Sequence, residues 1–582
     1  MIDLRVRAAA LLGLYSCLLT LGATPAGPAV AQEGEGSTFV DRVDVHIVNV
    51  EVFVTNKRGQ AIVGLSEDDF ELTVDGREVP ISNFYAEEDD RPVHEASLAD
   101  PAPADAPQGE ASVPPEQLLR LVVFVDQTAL EPLNRKRSFK HIRRFFAEGL
   151  APADEIAVVS LAPGLRFHTD FTRDRELVEK ILKELEKSPP LDLGTAGERR
   201  RVLQEISDGS SGPTSGASHS ALSLIRAIAA TEFGIRKSGT QALMALMGTL
   251  NGVPGRRAVL HVSSGIPTNP GEDLFLAWRN RFGQSNQTYQ SEVGSYDLLR
   301  DFQEIAARAN ASKVTFYALD ADPPAYSYGR SVEFEGDTSA LPSVTGEVSN
   351  THEANKRSTL ELTAFETGGK RVVANGTLPR QLNRLGNDFR SFYSLGFEAP
   401  RGNVRDRHKV KVRVEGQKGW VVRHRAGYSE QNPDQEAASR TMAALLYGVA
   451  EDPLGVVARS GPAQVQEDGR TTLPLTIEIP FERLALLPDG DDRAATLSLF
   501  VTVQDKVGAA RPVQRLAVRL RLPQQKIDEA PGRFARYVLP VVVGPDDRRV
   551  ALGVRDDIAG VVSTLRVDLE PTAGSGNKYA GR

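Results

Sequence analysis

An acidic residue followed two positions later by a hydroxyl is the clearest candidate for chemistry in this sequence. Segment 121–128 reads Leu-Val-Val-Phe-Val-Asp-Gln-Thr, so an unbroken apolar run ends at Asp126 and Thr128 follows. Such runs are typical of central strands in parallel sheets, which helices cover on both faces. Open α/β sheets bind ligands at the carboxyl ends of these strands. We therefore predict that Asp126 and Thr128 belong to a binding site.

The patterns around this strand indicate an α/β domain. From 118 to 430, strand patterns alternate with helix patterns, which predicts a doubly wound parallel sheet. Two polar insertions, 188–220 and 266–295, are expected to be loops that shape the face carrying Asp126, and 320–356 is also predicted as loop. The remaining elements are core strands at 155–161, 257–263 and 313–319, a strand-like segment at 165–172, helices at 133–150, 174–187, 238–250 and 296–310, and strands added to the domain at 388–397, 409–414 and 419–424.

Two β modules are predicted to flank this domain. Residues 38–86 alternate with period two and contain Asp75-Gly76, a strong hairpin signal, which predicts an N-terminal β-sandwich. Similar strand patterns at 453–571 predict a C-terminal β-sandwich. The other segments lack the apolar content that packing requires. We predict a disordered linker at 87–117, a linker at 431–452 and a disordered tail at 572–582.

The N-terminus has the pattern of a secretory leader. Two arginines precede an apolar stretch at 8–21, and Ala-Val-Ala at 29–31 forms a cleavage signal, which predicts a signal peptide over 1–31. The protein is then exported to the periplasm, the medium or the cell surface. Cys17, the only cysteine, lies in this leader, and lipid attachment there is the alternative to cleavage after Ala31. A chain cleaved after Ala31 has no thiol chemistry, and no later stretch reaches the ~18–20 apolar residues of a spanning helix.

Composition and motifs exclude several classes of function. The net charge is -8 without a dense Lys/Arg block, so we predict no nucleic-acid partner. The sequence has no Gly-x-Ser-x-Gly elbow, no His-Glu-x-x-His and no phosphate loop, so we predict that the protein is not an enzyme. His168, beside Asp170, and His261, in a strand pattern, are predicted to be structural. A hydrolase with unrecognised residues is a minor alternative.

Three sets of motifs resemble the acidobacterial VWFA-related protein family, whose central module is a von Willebrand factor A domain. The first is Val-Asn-Val-Glu-Val-Phe-Val at 48–54 with Gly-Leu-Ser-Glu-Asp-Asp-Phe at 64–70. The second is the strand that ends at Asp126. The third is Phe-Tyr-Ser-Leu-Gly-Phe at 392–397 before Arg-Ala-Gly-Tyr at 425–428. The resemblance covers about residues 38–430 and implies a von Willebrand A-like central domain.

The resemblance also implies a metal-ion-dependent adhesion site, although a degenerate one. The family pattern Asp-x-Ser-x-Ser corresponds here to Asp126 and Thr128, with Leu130 in place of the last hydroxyl. Thr240, at the predicted start of a helix, corresponds to the family threonine, and Ser264 stands where the family has aspartate. Asp126, Thr128 and Thr240 are thus the candidate metal ligands. A lone carboxylate implies at most weak Mg²⁺ binding, and no cofactor is certain. Asp320 and Asp322 follow the strand pattern at 313–319 and therefore lie on the same edge. Their carboxylates could replace the lost charge.

We predict a non-enzymatic, exported binding, adhesion or scaffold protein. A protein partner would contact the carboxyl edge of the central sheet around Asp126, Thr128, Thr240 and Ser264, with or without a metal. In the alternative, the central domain is purely structural and the flanking sandwiches bind cell-wall or surface components. Patterns in the sequence do not specify the oligomeric state.

Overall fold

The computed structural model describes residues 47–569 with gaps, all of them in one unit, His46–Arg582. The predicted signal peptide with Cys17, the predicted tail at 572–582 and most of the linker predicted at 87–117 lie outside the described residues. The gaps are 89–90, 96–117, 131, 163, 189–194, 209–211, 322–341, 400–406, 416–418, 431, 463, 466–470, 491 and 524–533.

The described chain begins with five strands, of which β2 alternates between buried and half-buried positions. They are β1 (Ile47–Thr55), β2 (Phe70–Val74), β3 (Arg77–Glu78), β4 (Asn83–Glu88) and β5 (Arg91–Glu95). Asp75 and Gly76 join β2 to β3 with φ of 50° and 80°, the left-handed pair that the Asp-Gly hairpin signal predicts. β5 pairs with β4, so part of the predicted linker is a strand instead.

A six-stranded sheet forms the centre of the molecule. Its order is β11-β10-β9-β6-β7-β8, and only β8 runs antiparallel to its neighbour. The parallel α/β architecture predicted from the sequence is therefore present. The strands are β6 (Leu119–Asp126), β7 (Glu155–Leu161), β8 (Leu165–Phe167), β9 (Arg256–Ser263), β10 (Val314–Asp320) and β11 (Arg371–Val373).

Helices cover both faces of this sheet. The helices are α1 (Pro132–Glu148), α2 (Arg175–Lys187), α3 (Thr195–Asp208), α4 (Gly216–Leu250), α5 (Glu272–Phe282), α6 (Asn286–Gly294), α7 (Leu299–Ala311), α8 (Pro342–Glu366) and α9 (Leu378–Arg390). Leu121 and Val123 of β6 pack with α1, α2 and α9, whereas Val122 and Phe124 pack with α4, α7 and α8. Since both faces of β6 are buried, its sequence shows no alternation.

The two predicted insertions are helical rather than loops. The first contains α3 and the start of α4, the second contains α5 and α6, and the predicted loop 320–356 includes the first part of α8. We call α3, α5, α6 and the first half of α4 the helical layer. Its core residues are Val202, Leu203, Ile206, Ala221, Ile225, Ile228, Ala229, Leu274, Phe275, Leu276, Ala277, Trp278, Phe282, Tyr289, Val293 and, from α8, Val348. Because these helices pack on one another, a few apolar residues in each helix are enough to form the core of the layer. The sequence of these segments is therefore mostly polar.

Buried charges join the helices of this layer. Arg199 of α3 pairs with Glu232 of α4 at 2.7 Å and also with Asp273 of α5. His352 of α8 lies 3.5 Å from Asp273. Burial raises the pKa of Asp273, but Arg199 and His352 more than offset that effect and lower it far below its usual value. The carboxylate therefore stays ionised inside the protein and ties three helices together.

Four later strands complete the N-terminal module instead of extending the central domain. They are β12 (Phe392–Glu398), β13 (Arg407–Val414), β14 (Val421–His424) and β15 (Gly427–Ser429). One sheet has the order β14-β1-β12-β4-β5 and the other β15-β13-β2-β3, and the two share one core. The prediction that 118–430 forms one domain with added strands therefore differs from the structure. The central domain is inserted between strands that pair with each other.

The C-terminal part contains two further antiparallel sheets that share a core. In one, β18 lies between β22 and the short strands β16 and β17; in the other, the order is β19-β20-β23-β24 with β21 also on β20. The elements are α10 (Pro433–Tyr447), β16 (Val457–Ser460), β17 (Gln464–Val465), β18 (Thr471–Pro480), β19 (Leu487–Asp489), β20 (Asp492–Asp505), β21 (Gln514–Pro523), β22 (Phe534–Val543), β23 (Asp547–Asp556) and β24 (Val562–Asp568).

Helix α10 lies in the segment predicted as a linker and connects this part to the central domain. It starts at a cap in which Asn432 accepts a hydrogen bond from the Gln435 amide, and it ends at Gly448 with a φ of 68°. Tyr447 reaches back to the Thr249 hydroxyl at 2.8 Å. None of the helices in the described ranges has the length and apolar content needed to cross a membrane.

Replacing Asp273 by alanine should lower the free energy of unfolding by about 3 kcal/mol, because Arg199 then loses one of its two buried counter-charges. Arg144→Ala is the matched control, since it breaks an exposed pair with Glu148 and should change stability by less than about 1 kcal/mol. Urea unfolding followed by circular dichroism measures both. Equal effects of the two substitutions would contradict a structural role for the buried cluster.

Candidate functional site

The candidate site lies where the central strands end. Asp126 is the last residue of β6, and its neighbour β9 ends at Ser263. The Ser264 amide donates to the carbonyl of Ala129 at 3.3 Å, and the Ala321 amide donates to the carbonyl of Ser263 at 2.8 Å. The turns after β6, β9 and β10 therefore meet at one edge of the sheet, which we call the carboxyl edge.

Asp126 is fully buried and makes its hydrogen bonds with one oxygen only. Its Oδ1 accepts from the Thr128 amide at 3.0 Å and from the Thr128 hydroxyl at 2.6 Å. This local loop fixes the turn, as aspartates commonly do. Its Oδ2 is buried and has no hydrogen-bond partner in the described part of the protein. A buried acceptor without a donor is unfavourable, so Asp126 Oδ2 is an unsatisfied group at this edge, although it is closed to solvent.

Ser264 adds a second buried oxygen without a partner. Its Oγ accepts and donates no hydrogen bond within the described residues, and the residue is 4% exposed. Gly265 follows with a φ of 88°, and a Cβ there would lie 2.8 Å from the carbonyl oxygen of Lys356. This close approach of α8 requires glycine and holds Ser264 in place.

Thr240 lies at the same edge but its hydroxyl is already engaged. The sequence predicted that it opens a helix, whereas α4 begins at Gly216 and Thr240 lies well inside it. Its Oγ1 lies 2.9 Å from Oδ2 of Asp301, a residue of α7. The ammonium group of Lys237 lies 2.7 Å from the other oxygen of Asp301. Sequence patterns did not indicate this Lys237–Asp301–Thr240 group, which depends on the packing of α4 against α7.

Arg236 is the functional candidate that sequence reasoning missed. Its Nη1 donates to the carbonyl oxygen of Thr128 at 3.1 Å and lies 3.5 Å from the Thr128 hydroxyl. The described residues include no carboxylate within ion-pair distance of Arg236. Its guanidinium therefore places a positive charge, with no acidic partner, beside the turn that holds Asp126.

These residues do not fit a divalent cation. Mg²⁺ needs near-octahedral oxygen ligands, usually with carboxylates among them. Here Thr128 donates to Asp126 and Thr240 is bound to Asp301, while Arg236 and Lys237 already supply positive charge. The described part of the chain holds no group of three or more His, Cys, Asp or Glu side chains able to hold a metal ion.

Asp320, which the sequence suggested as a replacement carboxylate, does not provide the missing charge. Asp320 lies at the end of β10, but Arg371 pairs with it at 2.6 Å. Asp322 is outside the described residues. The second charge of the family pattern therefore has no replacement among the carboxylates that the structure describes at this edge.

The helical layer projects beyond the carboxyl edge. A Cβ on Gly239 would lie 3.6 Å from the Leu161 side chain at the end of β7, so Gly239 marks the level of the edge on α4. Helix α4 has 35 residues and is therefore about 52 Å long. Strand β9, with 8 residues, spans only about 26 Å. The first half of α4 and the helices packed on it thus form a wall beside the site.

Two histidines near this edge are held in structural positions. His261 is buried between the rings of Phe124 and Phe316, with centroids 5.2 and 5.5 Å away. Burial lowers the pKa of His261 to about 4, although the nearby charge of Asp126 raises it in part. His261 is therefore neutral at pH 7 and lies in the core as predicted, but its Nε2 has no hydrogen-bond partner among the described residues.

His168 contacts a serine, but the pair is not arranged as a nucleophile and base. Its Nε2 lies 2.8 Å from Oγ of Ser160. Ser160 is 1% exposed, so no substrate reaches its hydroxyl. Asp170 cannot complete a triad, because both of its oxygens bind Arg566, at 2.9 and 2.7 Å.

Comparisons with known proteins leave the family of this chain open. No family model and no curated protein match it. It is similar to an aerotolerance-related membrane protein from Bacteroides fragilis NCTC 9343, with 10% identity over 47% of this chain and 98% of that chain, at a TM-score of 0.22. It is also similar to human COPII-coat protein Sec24c, with 8% identity over 79% of this chain and 44% of that chain, at a TM-score of 0.21. Similarity at this level carries no argument about fold or function.

Acidification should destabilise the protein through His261. In the unfolded chain this residue takes up a proton below about pH 6.5, whereas in the folded protein it stays neutral until about pH 4. Its contribution to stability is therefore lost as the pH falls through this window, by up to about 3 kcal/mol. His261→Phe should flatten the dependence of urea midpoints on pH between 4 and 6.5. His219→Gln, an exposed change on α4, is the control, and the same slope in both variants would contradict this assignment.

Proposed function

We propose that this chain is a non-enzymatic binding protein, with an adhesion or scaffold role, whose partner contacts the carboxyl edge of the central sheet. The observation that carries the proposal is the pair of buried oxygens, Asp126 Oδ2 and Ser264 Oγ, that have no hydrogen-bond partner among the described residues. Buried polar atoms in native proteins are normally satisfied. These unmet hydrogen bonds lie beside the turn that Arg236 contacts, and they mark this edge as the place where a partner would bind.

Arg236 gives this site a positive charge without a metal ion. A guanidinium binds carboxylates with two parallel hydrogen bonds, and Arg236 has no acidic partner among the described residues. A partner side chain of Asp or Glu is therefore the expected ligand of Arg236. The adhesion site implied by the family resemblance is, in this proposal, a degenerate one in which protein cations replace Mg²⁺.

The alternative, in which the flanking β modules bind cell-wall glycans, has less support. Glycan sites commonly need exposed aromatic rings, and the chain has two Trp residues. Trp278 is buried in the helical layer, where its indole donates to the carbonyl oxygen of Ser218 at 3.1 Å. Trp420 packs against the core of the N-terminal module. Neither indole is placed to line an open groove.

Export remains part of the proposal and rests on the leader pattern at 1–31, which lies outside the described residues. Determining the N-terminus of the mature protein tests it. A first residue of Gln32 supports cleavage, a lipid-modified Cys17 supports anchoring, and an intact leader in the cytoplasm contradicts export.

Partner capture should depend on the carboxyl edge. A photo-crosslinking amino acid at Ser238, which is exposed there, should capture a partner protein in cells that express the full chain. Asp126→Asn and Arg236→Gln should each reduce the crosslinked product about fivefold or more, because both remove a charge at the centre of the site.

The control for this experiment is Arg173→Gln. Arg173 is an exposed arginine that pairs with Glu155 at the start of β7, so it lies at the opposite edge of the sheet. The Arg173→Gln substitution removes one positive charge without changing a residue of the site. Equal crosslinking in the control and both site variants would show that the partner binds elsewhere, as the alternative requires.

Metal titration provides an independent test. Calorimetric titration of Mg²⁺ or Mn²⁺ into the full chain should show no binding at sub-millimolar concentration, since a single carboxylate holds these ions weakly. A variant that combines Leu130→Ser, Ser264→Asp and Arg236→Ala restores the missing oxygens, removes the guanidinium and should gain binding. Sub-millimolar binding to the natural chain that disappears in Asp126→Ala would overturn the metal-free site.

A further inference from the structure

Three basic residues gather at the amino edge of the central sheet, opposite the carboxyl edge. Arg257 is the second residue of β9, Lys313 directly precedes β10, and Arg425 follows β14. We call them the amino-edge cluster. They come from three separate parts of the chain, so no stretch of sequence shows them together.

Backbone contacts fix the position of each residue. The Arg257 Nη1 donates to the carbonyls of Asn251 at 3.0 Å and Ser312 at 2.9 Å, which are the ends of α4 and α7. Ser312 directly precedes Lys313, so Arg257 and Lys313 are neighbours. Arg425 forms a backbone bridge with Thr367, whose hydroxyl accepts a hydrogen bond from the amide of Phe316 in β10. The three side chains thus start from the same corner of the sheet.

Arg425 is the least compensated of the three. It is 8% exposed, and its Nε is buried without a hydrogen-bond partner among the described residues. None of the carboxylates in the described ranges lies within ion-pair distance of Arg257, Lys313 or Arg425. The charge of Glu51 raises the pKa of both arginines in part, and Glu51 itself is paired with Arg256 at 3.4 Å; Glu436 acts in the same way on Lys313.

The cations also act on one another. Burial lowers the pKa of Arg257 and of Arg425 to about 10, and the charge of Arg425 further lowers that of Arg257. Desolvation of the ammonium group lowers the pKa of Lys313 to about 8, and the charges of Arg425 and Arg257 contribute to this shift. Part of the Lys313 residue remains exposed. Like charges held together without a counter-ion are unfavourable, and a bound anion relieves this repulsion.

We propose that the amino-edge cluster binds a phosphate-type oxyanion. Three cations exceed the single charge of a carboxylate, whereas a phosphate brings up to two charges and enough oxygens for two guanidinium groups and an ammonium. The buried Nε of Arg425 supplies a donor that no group of the described residues uses. The site is separate from the partner-binding edge and does not depend on it.

Inorganic phosphate tests this proposal with the full chain. Thermal unfolding in phosphate, against chloride of equal ionic strength, should show a midpoint that rises with phosphate concentration, since ligands of the native state stabilise it. Lys313→Gln, at a partly exposed position, should weaken the apparent affinity about tenfold. Lys183→Gln, an exposed change on α2, should leave the affinity unchanged. A midpoint that is insensitive to phosphate, or that rises equally in Lys313→Gln, would overturn the proposal.

A second variant and a second probe complete the test. Arg425→Met keeps an apolar stem in the buried position and removes the charge, so its folded form should lose the phosphate response. Flotation with vesicles of phosphatidylglycerol and phosphatidylcholine distinguishes the sources of the phosphate group. Vesicle binding that free phosphate inhibits supports a lipid headgroup as the ligand, and a phosphate response without vesicle binding supports a free or soluble phosphate.

Discussion

The burial of β6 on both faces is the constraint on which the rest of this structure depends. Because Val123 and Phe124 face opposite layers of helices, the strand carries no polar residue from Leu121 to Val125. Asp126 is then a fully buried carboxylate, and Thr128 satisfies one of its oxygens within the same turn. The other oxygen stays without a partner among the described residues. The site is thus a consequence of how the central strand is packed.

The two edges of the sheet differ in how charge is balanced. At the carboxyl edge, α4 brings Arg236 to the carbonyl oxygen of Thr128 and Lys237 to Asp301 of α7. At the amino edge, the charge of Arg425 acts on Arg257, and none of the described carboxylates lies within ion-pair distance of either arginine. Helix ends account for part of this difference, since Arg257 binds carbonyls at the ends of α4 and α7, where positive charge is favoured.

The N-terminal module shows that strands far apart in the sequence can pair with each other. Val52 of β1 pairs with Tyr393 of β12, so the whole central domain lies between two adjacent strands. Strand patterns in the sequence predict both strands, although the second was predicted at 388–397 and residues 388–390 are the end of α9. They do not identify which strands pair, because alternation reports only that one face is buried. The N-terminal module is therefore discontinuous, and its core includes residues that the sequence placed with the central domain.

Local patterns by themselves determined the parallel α/β centre, the position of Asp126 and Thr128 at a strand end, and the hairpin at Asp75 and Gly76. Each depends on burial or turn geometry within a few residues. Tertiary structure decided the helical layer, the location of Thr240 inside α4 and the approach of Arg236 to Thr128. These features arise from contacts between distant segments, whose free energy has no signature in the local sequence.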